Sequence, residues 1–273
     1  MPTTPALVAV DLDGTVVRHG AYDRAAGAAT VTALAAVRAA GVPIVVVTAR
    51  PRWDSSAAMT DLGIAPGHHV FSEGAVVTGA DGLVAHRVEI DPGAAIRGYL
   101  ASTPAATFSL EISDDGWLTC ENYAQDVPTN WKGRATHDVL AATPTTSLTV
   151  RVPCDSVYAP SELCSHAQTA TDLAGLDPAV YRAHIGRRGW VSVVAAGTDK
   201  ASGLARVAAS LGVARADVVA FGDSRNDLPM LAWAGLGVAM GQAPAEVRDA
   251  ADEVAPPVED DGVAAVLGRW FRV

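Results

Sequence analysis

Asp11 and Asp13 stand two residues apart in the run Asp11-Leu12-Asp13-Gly14-Thr15, directly after a short apolar segment. Side chains at that spacing on an extended chain point the same way, so both carboxylates face one site beyond the strand's carboxyl end. That edge is where ligands bind in open parallel sheets. Gly14 lets the chain turn sharply there. Crowded carboxylates repel one another, and a hard divalent cation such as magnesium relieves the repulsion. With charge drawn off by the cation, one carboxylate can attack phosphorus while the other holds a proton for the leaving oxygen. The plainer alternative is a surface turn with helix-capping aspartates, but no helical pattern follows at once and the run ends a buried strand.

A second run, Gly222-Asp223-Ser224-Arg225-Asn226-Asp227, also follows a continuous apolar segment. Asp223 can complete the oxygen shell of a cation, and Asp227 can orient bound water or cap the next helix, whose first turn Pro229 suits. A third strand end presents Thr48-Ala49-Arg50, a hydroxyl and backbone amides suited to phosphate oxygens. Lys200 sits badly by local rules. A cation in the first turn of a helix opposes the helix dipole, at a cost of about a few tenths of a kcal/mol, and an anion bound nearby reverses that sign.

These residues need a scaffold that gathers strand ends. Residues 6–10 form a continuous apolar run suited to a strand buried on both faces. Residues 25–40 have helical spacing and stop at Gly41; 43–48 is a β-branched strand; 53–62 is a helix closed by Gly63; and 69–77 is a further short strand. Strand and helix alternating in this way imply right-handed crossovers and a parallel sheet. After about Gly82 the texture changes to short alternating segments, 107–112, 117–121 and 147–152, broken by turn-forming residues, which predicts an antiparallel sheet with one or two helices on it. Near Trp190 the first texture returns, with a helix at 200–211, a buried strand at 217–221, a helix at 228–234 and a strand at 236–240. The expectation is an α/β core, 1–82 with 189–273, interrupted by an inserted α+β domain at 83–188.

Composition narrows the partners. The formal net charge is -10, which repels phosphate backbones and so argues against nucleic acid or an anionic membrane. An anionic substrate must then meet a local pocket of opposite sign. Cys120, Cys154 and Cys164 cannot all pair and have no zinc-like spacing, so free thiols in a reducing compartment are expected. The first residues lack the basic start and cleavage site of a signal peptide, and no apolar stretch is long enough to span a bilayer, so a cytoplasmic location is expected. His68 and His69 are adjacent, and neighbours on a strand point oppositely, so they are read as structural rather than as a metal pair.

In order, Asp-x-Asp-Gly-Thr, Thr-x-Arg, a lysine and Gly-Asp-x-x-Asn-Asp resemble the four motifs of haloacid dehalogenase superfamily phosphatases. The insertion resembles the type IIB cap of the Cof-type hydrolases. So do Met240-Gly241-Gln242-Ala243, with Gln242 where Asn is usual, and the closing runs 251–254 and 261–264. The resemblance implies a Rossmann-like core and makes Asp11 the nucleophile and Asp13 the general acid and base. It implies that Mg2+ is held by Asp11, the Asp13 carbonyl and Asp223, with Asp227 in support. Phosphate would touch the Leu12 backbone, Thr48, the Ala49 amide, Lys200 and Asn226. Two departures stand out: Ala49 replaces a common glycine, and Glu73-Gly74 replaces the usual Asn-Gly, leaving the role of that position open. The expected substrate is a small phosphate ester, a sugar phosphate by analogy. A phosphomannomutase-like phosphotransferase and a non-catalytic metabolite-binding protein of the same fold are the rival readings. Oligomeric state is not legible. Specificity would lie in the cap, with Glu111, Trp117, Asn122, Trp131, Lys132 and His184 as candidates to face the leaving group.

Overall fold

The computed structural model describes residues 4–18, 26–112, 116–123, 130–153, 165–186 and 189–271. The chain divides into two compact units, Met1–Arg50 with Ser55–His86 and Asp199–Val273, and Pro51–Asp54 with Arg87–Thr198.

The first unit is built on a five-stranded parallel sheet in the spatial order Glu253–Val254, Leu236–Ala239, Val218–Gly222, Leu7–Val10, Ile44–Val46. Leu7–Val10 is fully buried because both faces are covered, which is what its unbroken apolar run demands. Each such side chain taken from water contributes about 1.5–3 kcal/mol. One face packs on the helices Ala28–Ala39 and Gly262–Leu267, through Val8, Val10, Leu34, Val37, Val263 and Val266; Ala25, where the helix reading began, lies outside the described residues. The other face packs on Lys200–Leu211 through Leu204 and Val207. That helix opens on a capping box between Asp199 and Ser202 and closes on left-handed Gly212.

Leu7–Val10 lies between Ile44–Val46 on one side and Val218–Gly222 on the other, so the strand order reverses at the centre of the sheet. The register pairs Val10 with Phe221. Asp11 therefore leaves one strand beside the strand end that delivers Asp223, at the switch point where open α/β sheets bind ligands.

The single strand read over 69–77 is instead a hairpin, Val70–Phe71 and Val76–Thr78, joined by a turn at Ser72–Gly74. Ser72, Glu73 and Gly74 all take positive φ, which breaks the strand where the apolar pattern alone runs on.

The second unit holds a six-stranded sheet in the order Tyr181–Ile185, Trp190–Ala195, Leu148–Arg151, Thr107–Ile112, Gly116–Cys120, Trp131–Ala135. All its pairings are antiparallel except the last. Phe108, Leu110, Leu148, Val150, Val191 and Val193 form its apolar side with Ile96 and Tyr99 of the helix Gly93–Ser102 and Ala167 and Ala170 of Ser165–Leu173. The strand Trp190–Ala195 belongs to this sheet, so the return to the first unit comes at Asp199 rather than near Trp190. Its buried valines resemble a parallel-sheet run, and only pairing with Leu148–Arg151 reveals their place. Among the described residues no helix is long and apolar enough to cross a membrane.

Candidate active site

Asp11, Asp223 and Asp227 are almost wholly buried, and each offers a carboxylate oxygen within 4.8 Å of the others. Lys200 is 1% exposed and threads its ammonium between them, 2.8 Å from Asp11 Oδ1 and 2.6 Å from Asp227 Oδ1. The misplaced first-turn cation of the sequence thus finds two anions at the start of its own helix. Three aspartates, Lys200 and the strand ends that carry them are brought together.

Burial raises the Asp11 carboxyl well above the ordinary value, and the Lys200 ammonium pulls it back while Asp227 and Asp223 push it further up. Burial likewise raises Asp227, against the pull of Lys200. For Lys200 burial acts downward, but Asp11, Asp227 and Glu73 outweigh it and leave the ammonium held above the usual lysine range. One ammonium facing several buried carboxylates is an electrostatically under-compensated site.

Asp227 does more than cap. Its Oδ2 accepts from the backbone N–H groups of Asp223 at 3.0 Å and Ser224 at 2.9 Å, while Oδ1 takes Lys200. The helix Leu228–Trp233 that follows receives no side-chain cap from it. Gly222 permits this fold-back, since a Cβ there would lie 2.5 Å from the Asp227 Cβ. Ser224 Oγ donates to Asp223 Oδ1 at 3.2 Å and fixes that carboxylate in turn.

Asp13 faces a different partner. Arg50 grips it with two donors, Nε to Oδ2 at 2.6 Å and Nη2 to Oδ1. The fork geometry orients a carboxylate in both position and plane. Thr48 is buried and its hydroxyl accepts from the Arg50 N–H at 3.2 Å, while Ala49 between them is exposed. The Leu12 side chain is buried in the core, and its carbonyl gathers the N–H groups of Thr15, Val16 and Val17. This turn is pinned from the far end of the chain: Gln242 Nε2 donates to the Gly14 carbonyl, and Gln242 Oε1 accepts from Val258 N at 3.0 Å.

Asn226 is held by Glu73, its Nδ2 donating to both carboxylate oxygens at 3.0 and 3.1 Å. Sequence reasoning flagged Glu73 as a departure and assigned it nothing, and it passed over the Arg50–Asp13 pair. Arg50 and Asp13 stand 37 positions apart, a separation over which no local sequence pattern signals a pairing.

The remaining candidates fall where chemistry is not concentrated. His69 accepts from Val46 N at its Nδ1 and meets the Ala65 carbonyl at Nε2, so it is a structural, neutral imidazole; burial lowers it, consistent with that tautomer. Cys120 is buried and unpaired, and Cys154 and Cys164 lie outside the described residues. In the second unit Glu111 is buried opposite Trp117, which pairs in turn with Trp131, while Asn122, Trp131 and Lys132 are exposed and His184 is half-buried. The register brings Glu111, Trp117 and Trp131 into one row; His184 lies two strands beyond Leu148–Arg151 on the far edge.

Comparison with known proteins bears on the family and the fold. A family model described as haloacid dehalogenase-like hydrolase matches residues 8–267. The chain is 45% identical over 83 residues to the stress response protein YhaX of Bacillus subtilis, covering 30% of this chain and 29% of that one. It is 44% identical over 80 residues to the B. subtilis 5-amino-6-(5-phospho-D-ribitylamino)uracil phosphatase YcsE, covering 29% and 32%. The chain thus spans about a third of the length of these curated relatives that it matches. Among solved structures it is similar to BT1666 of Bacteroides thetaiotaomicron, at 23% identity, TM-score 0.76 and coverage of 97% and 95%. It also resembles SMU.1108c of Streptococcus mutans, at 18% identity, TM-score 0.82 and coverage of 98% and 99%. A sugar phosphatase described as subclass IIB, BT4131, superposes with TM-score 0.78 at 19% identity over 98% and 99%. These likenesses establish the fold.

Proposed function

The chain belongs to the haloacid dehalogenase-like hydrolases, and from that premise we propose that it is a phosphatase hydrolysing a small phosphate ester through a phosphorylated Asp11. The observation that carries the reading is the Lys200 ammonium buried between Asp11 and Asp227, with Asp223 alongside. A purely structural site has no need to bury three carboxylates around one cation, because such burial costs stability unless something further compensates it.

The donor set fits magnesium: all-oxygen, carboxylate-rich and under-compensated. Asp11, Asp223 and the Asp13 carbonyl would hold it, since Asp227 already spends both oxygens on Lys200 and the loop amides. When bound, the cation supplies charge neutralisation at the phosphoryl oxygens. The remaining chemistry belongs to the side chains. An Asp11 oxygen attacks phosphorus, the bond from phosphorus to the ester oxygen breaks, and Asp13 gives that oxygen its proton. Asp13 then takes a proton from water as the water oxygen attacks phosphorus, and the bond to Asp11 breaks to release phosphate. Lys200 offsets charge on the phosphoryl oxygens, with Thr48 and the Ala49 amide as further donors. Arg50 must loosen its hold on Asp13 for the proton transfers to proceed. The expected substrate is a sugar phosphate or similar metabolite, with selection of the leaving group assigned to the second unit.

Asp11→Asn tests the reading, measured as phosphate release from a panel of phosphate esters with magnesium present. The expected result is a folded protein with turnover reduced by a factor on the order of 10⁴ or more. Substantial residual hydrolysis would remove Asp11 from the role of nucleophile.

A further inference from the structure

The turn Ser72–Gly74 touches several of the loops that carry the site. Ser72 N donates to the Arg50 carbonyl at 3.0 Å, and Glu73 N to the Thr48 carbonyl at 3.3 Å. Gly74 rests against the residue before Lys200 so closely that a Cβ would lie 2.2 Å from the Asp199 carbonyl oxygen. The Glu73 side chain reaches the fourth motif, taking the Asn226 amide at both carboxylate oxygens.

Glu73 reaches this position against its own preferences. Its φ is +58°, a left-handed conformation that a glutamate adopts only at a cost, and its carboxylate belongs to a residue 3% exposed. A left-handed backbone and a buried carboxylate meet in this one residue, whose side chain accepts from the Asn226 amide, and such local strain is typical of functional positions. The carboxylate also adds to the field around Lys200. An amide donating to an ionised carboxylate makes a stronger bond than one donating to a neutral acceptor. The Asn226 amide nitrogen carries two N–H groups, so an anion that uses it must share that amide with Glu73 and approach a like charge to do so.

We propose that Glu73 is a positioning residue that competes internally for the phosphate subsite: it occupies the Asn226 amide and thereby keeps the affinity for free phosphate low. This rests on the reading of that subsite given above. It gives a hydrolase a specific benefit, since the product is the dianion that Glu73 disfavours, and weak product retention speeds release.

The test is calorimetric titration of inorganic phosphate into the full chain at saturating magnesium. Wild type is compared with Glu73→Gln, which keeps an acceptor oxygen and loses the charge. Glu73→Asn, of a residue type at home in left-handed turns, guards against misfolding. Both variants are expected to bind phosphate about ten-fold tighter than wild type. In an Asn226→Ala background the Glu73→Gln gain should shrink to about three-fold, the share due to charge alone. A turn that is merely structural gives the opposite sign, so unchanged or weaker phosphate binding in both variants would overturn the proposal. A full gain retained without Asn226 would overturn its route. Wild type that binds phosphate but hydrolyses no ester counts against the phosphatase reading, and the binding comparison still decides the role of Glu73.

Discussion

Asp11, Asp223, Asp227 and Lys200 are buried at the ends of parallel strands and at the start of one helix, whereas Ser109, Glu111, Thr119 and Thr149 are buried along the face of an antiparallel sheet. The four groups of the first unit are charged, with Lys200 paired to Asp11 and Asp227. In the second they are mostly neutral, and they meet through strand register: Ser109 faces Thr149 on one side and Thr119 on the other. A parallel sheet delivers side chains at points, where each strand stops. An antiparallel sheet delivers them in rows. Charge can be concentrated at a point, and so chemistry gathers there.

The largest effect expected from this contrast follows removal of the point charge that holds the first unit's site together. Lys200→Met leaves Asp11 and Asp227 buried without their cation. Breaking a buried pair in this way costs about 3–5 kcal/mol. Thermal denaturation without magnesium should show a fall in Tm of many degrees, together with near-complete loss of turnover. A Lys200→Met protein as stable as wild type would mean that the carboxylates are neutralised by other means, and the contrast between the units would weaken.

The same difference governs how much could be read from the sequence. The site was legible because its residues are adjacent to strand ends and to glycines that mark them: Asp11 before Gly14, Asp223 after Gly222. Lys200 betrayed itself by standing in a first turn. The parallel core was legible from continuous apolar runs. What was not legible depended on pairing. The strand Trp190–Ala195 reads like a core strand until its partner, Leu148–Arg151, is known. The hairpin at 70–78 depends on three left-handed residues, of which only Gly74 announces itself. Arg50 with Asp13, and Glu73 with Asn226, join residues 37 and 153 positions apart, and no local pattern records such a meeting.

A second, smaller effect concerns protons. Burial raises Asp11 and Asp227 above the ordinary carboxylate value of 3.8, so the folded, metal-free protein binds protons more firmly there than the unfolded chain does. Stability falls with pH wherever the folded state holds more protons. The contribution of these two groups is therefore favourable at low pH and is lost as pH rises through the window between 3.8 and their raised values. Lys200, raised in its turn, stays charged throughout that window and does not alter the sign. A cation and a proton compete for the same oxygens. The rise in Tm produced by magnesium should thus grow as pH increases, and this growth should be reduced in Asp11→Asn. Calorimetric scans at several pH values with and without magnesium measure it; a magnesium shift independent of pH would contradict the under-compensated site.

The smallest effect belongs to the second unit and sharpens the contrast from the other side. Thr145 is fully buried, and its hydroxyl serves the carbonyls of Glu111 and Ser147, both at 2.8 Å. It also accepts from Ser147 N at 3.2 Å, so this one group closes the start of the Leu148–Arg151 strand against Thr107–Ile112. Thr145→Val keeps the shape and removes the hydrogen bonds, leaving buried partners unserved at a cost of about 1–3 kcal/mol. Since the hydrogen bonds lost are between neutral groups, denaturant unfolding should show a modest drop in midpoint with an unchanged slope. Phosphate release per folded molecule should remain close to wild type. A loss of turnover comparable with that of Lys200→Met would show that the second unit, too, concentrates its function at a single point.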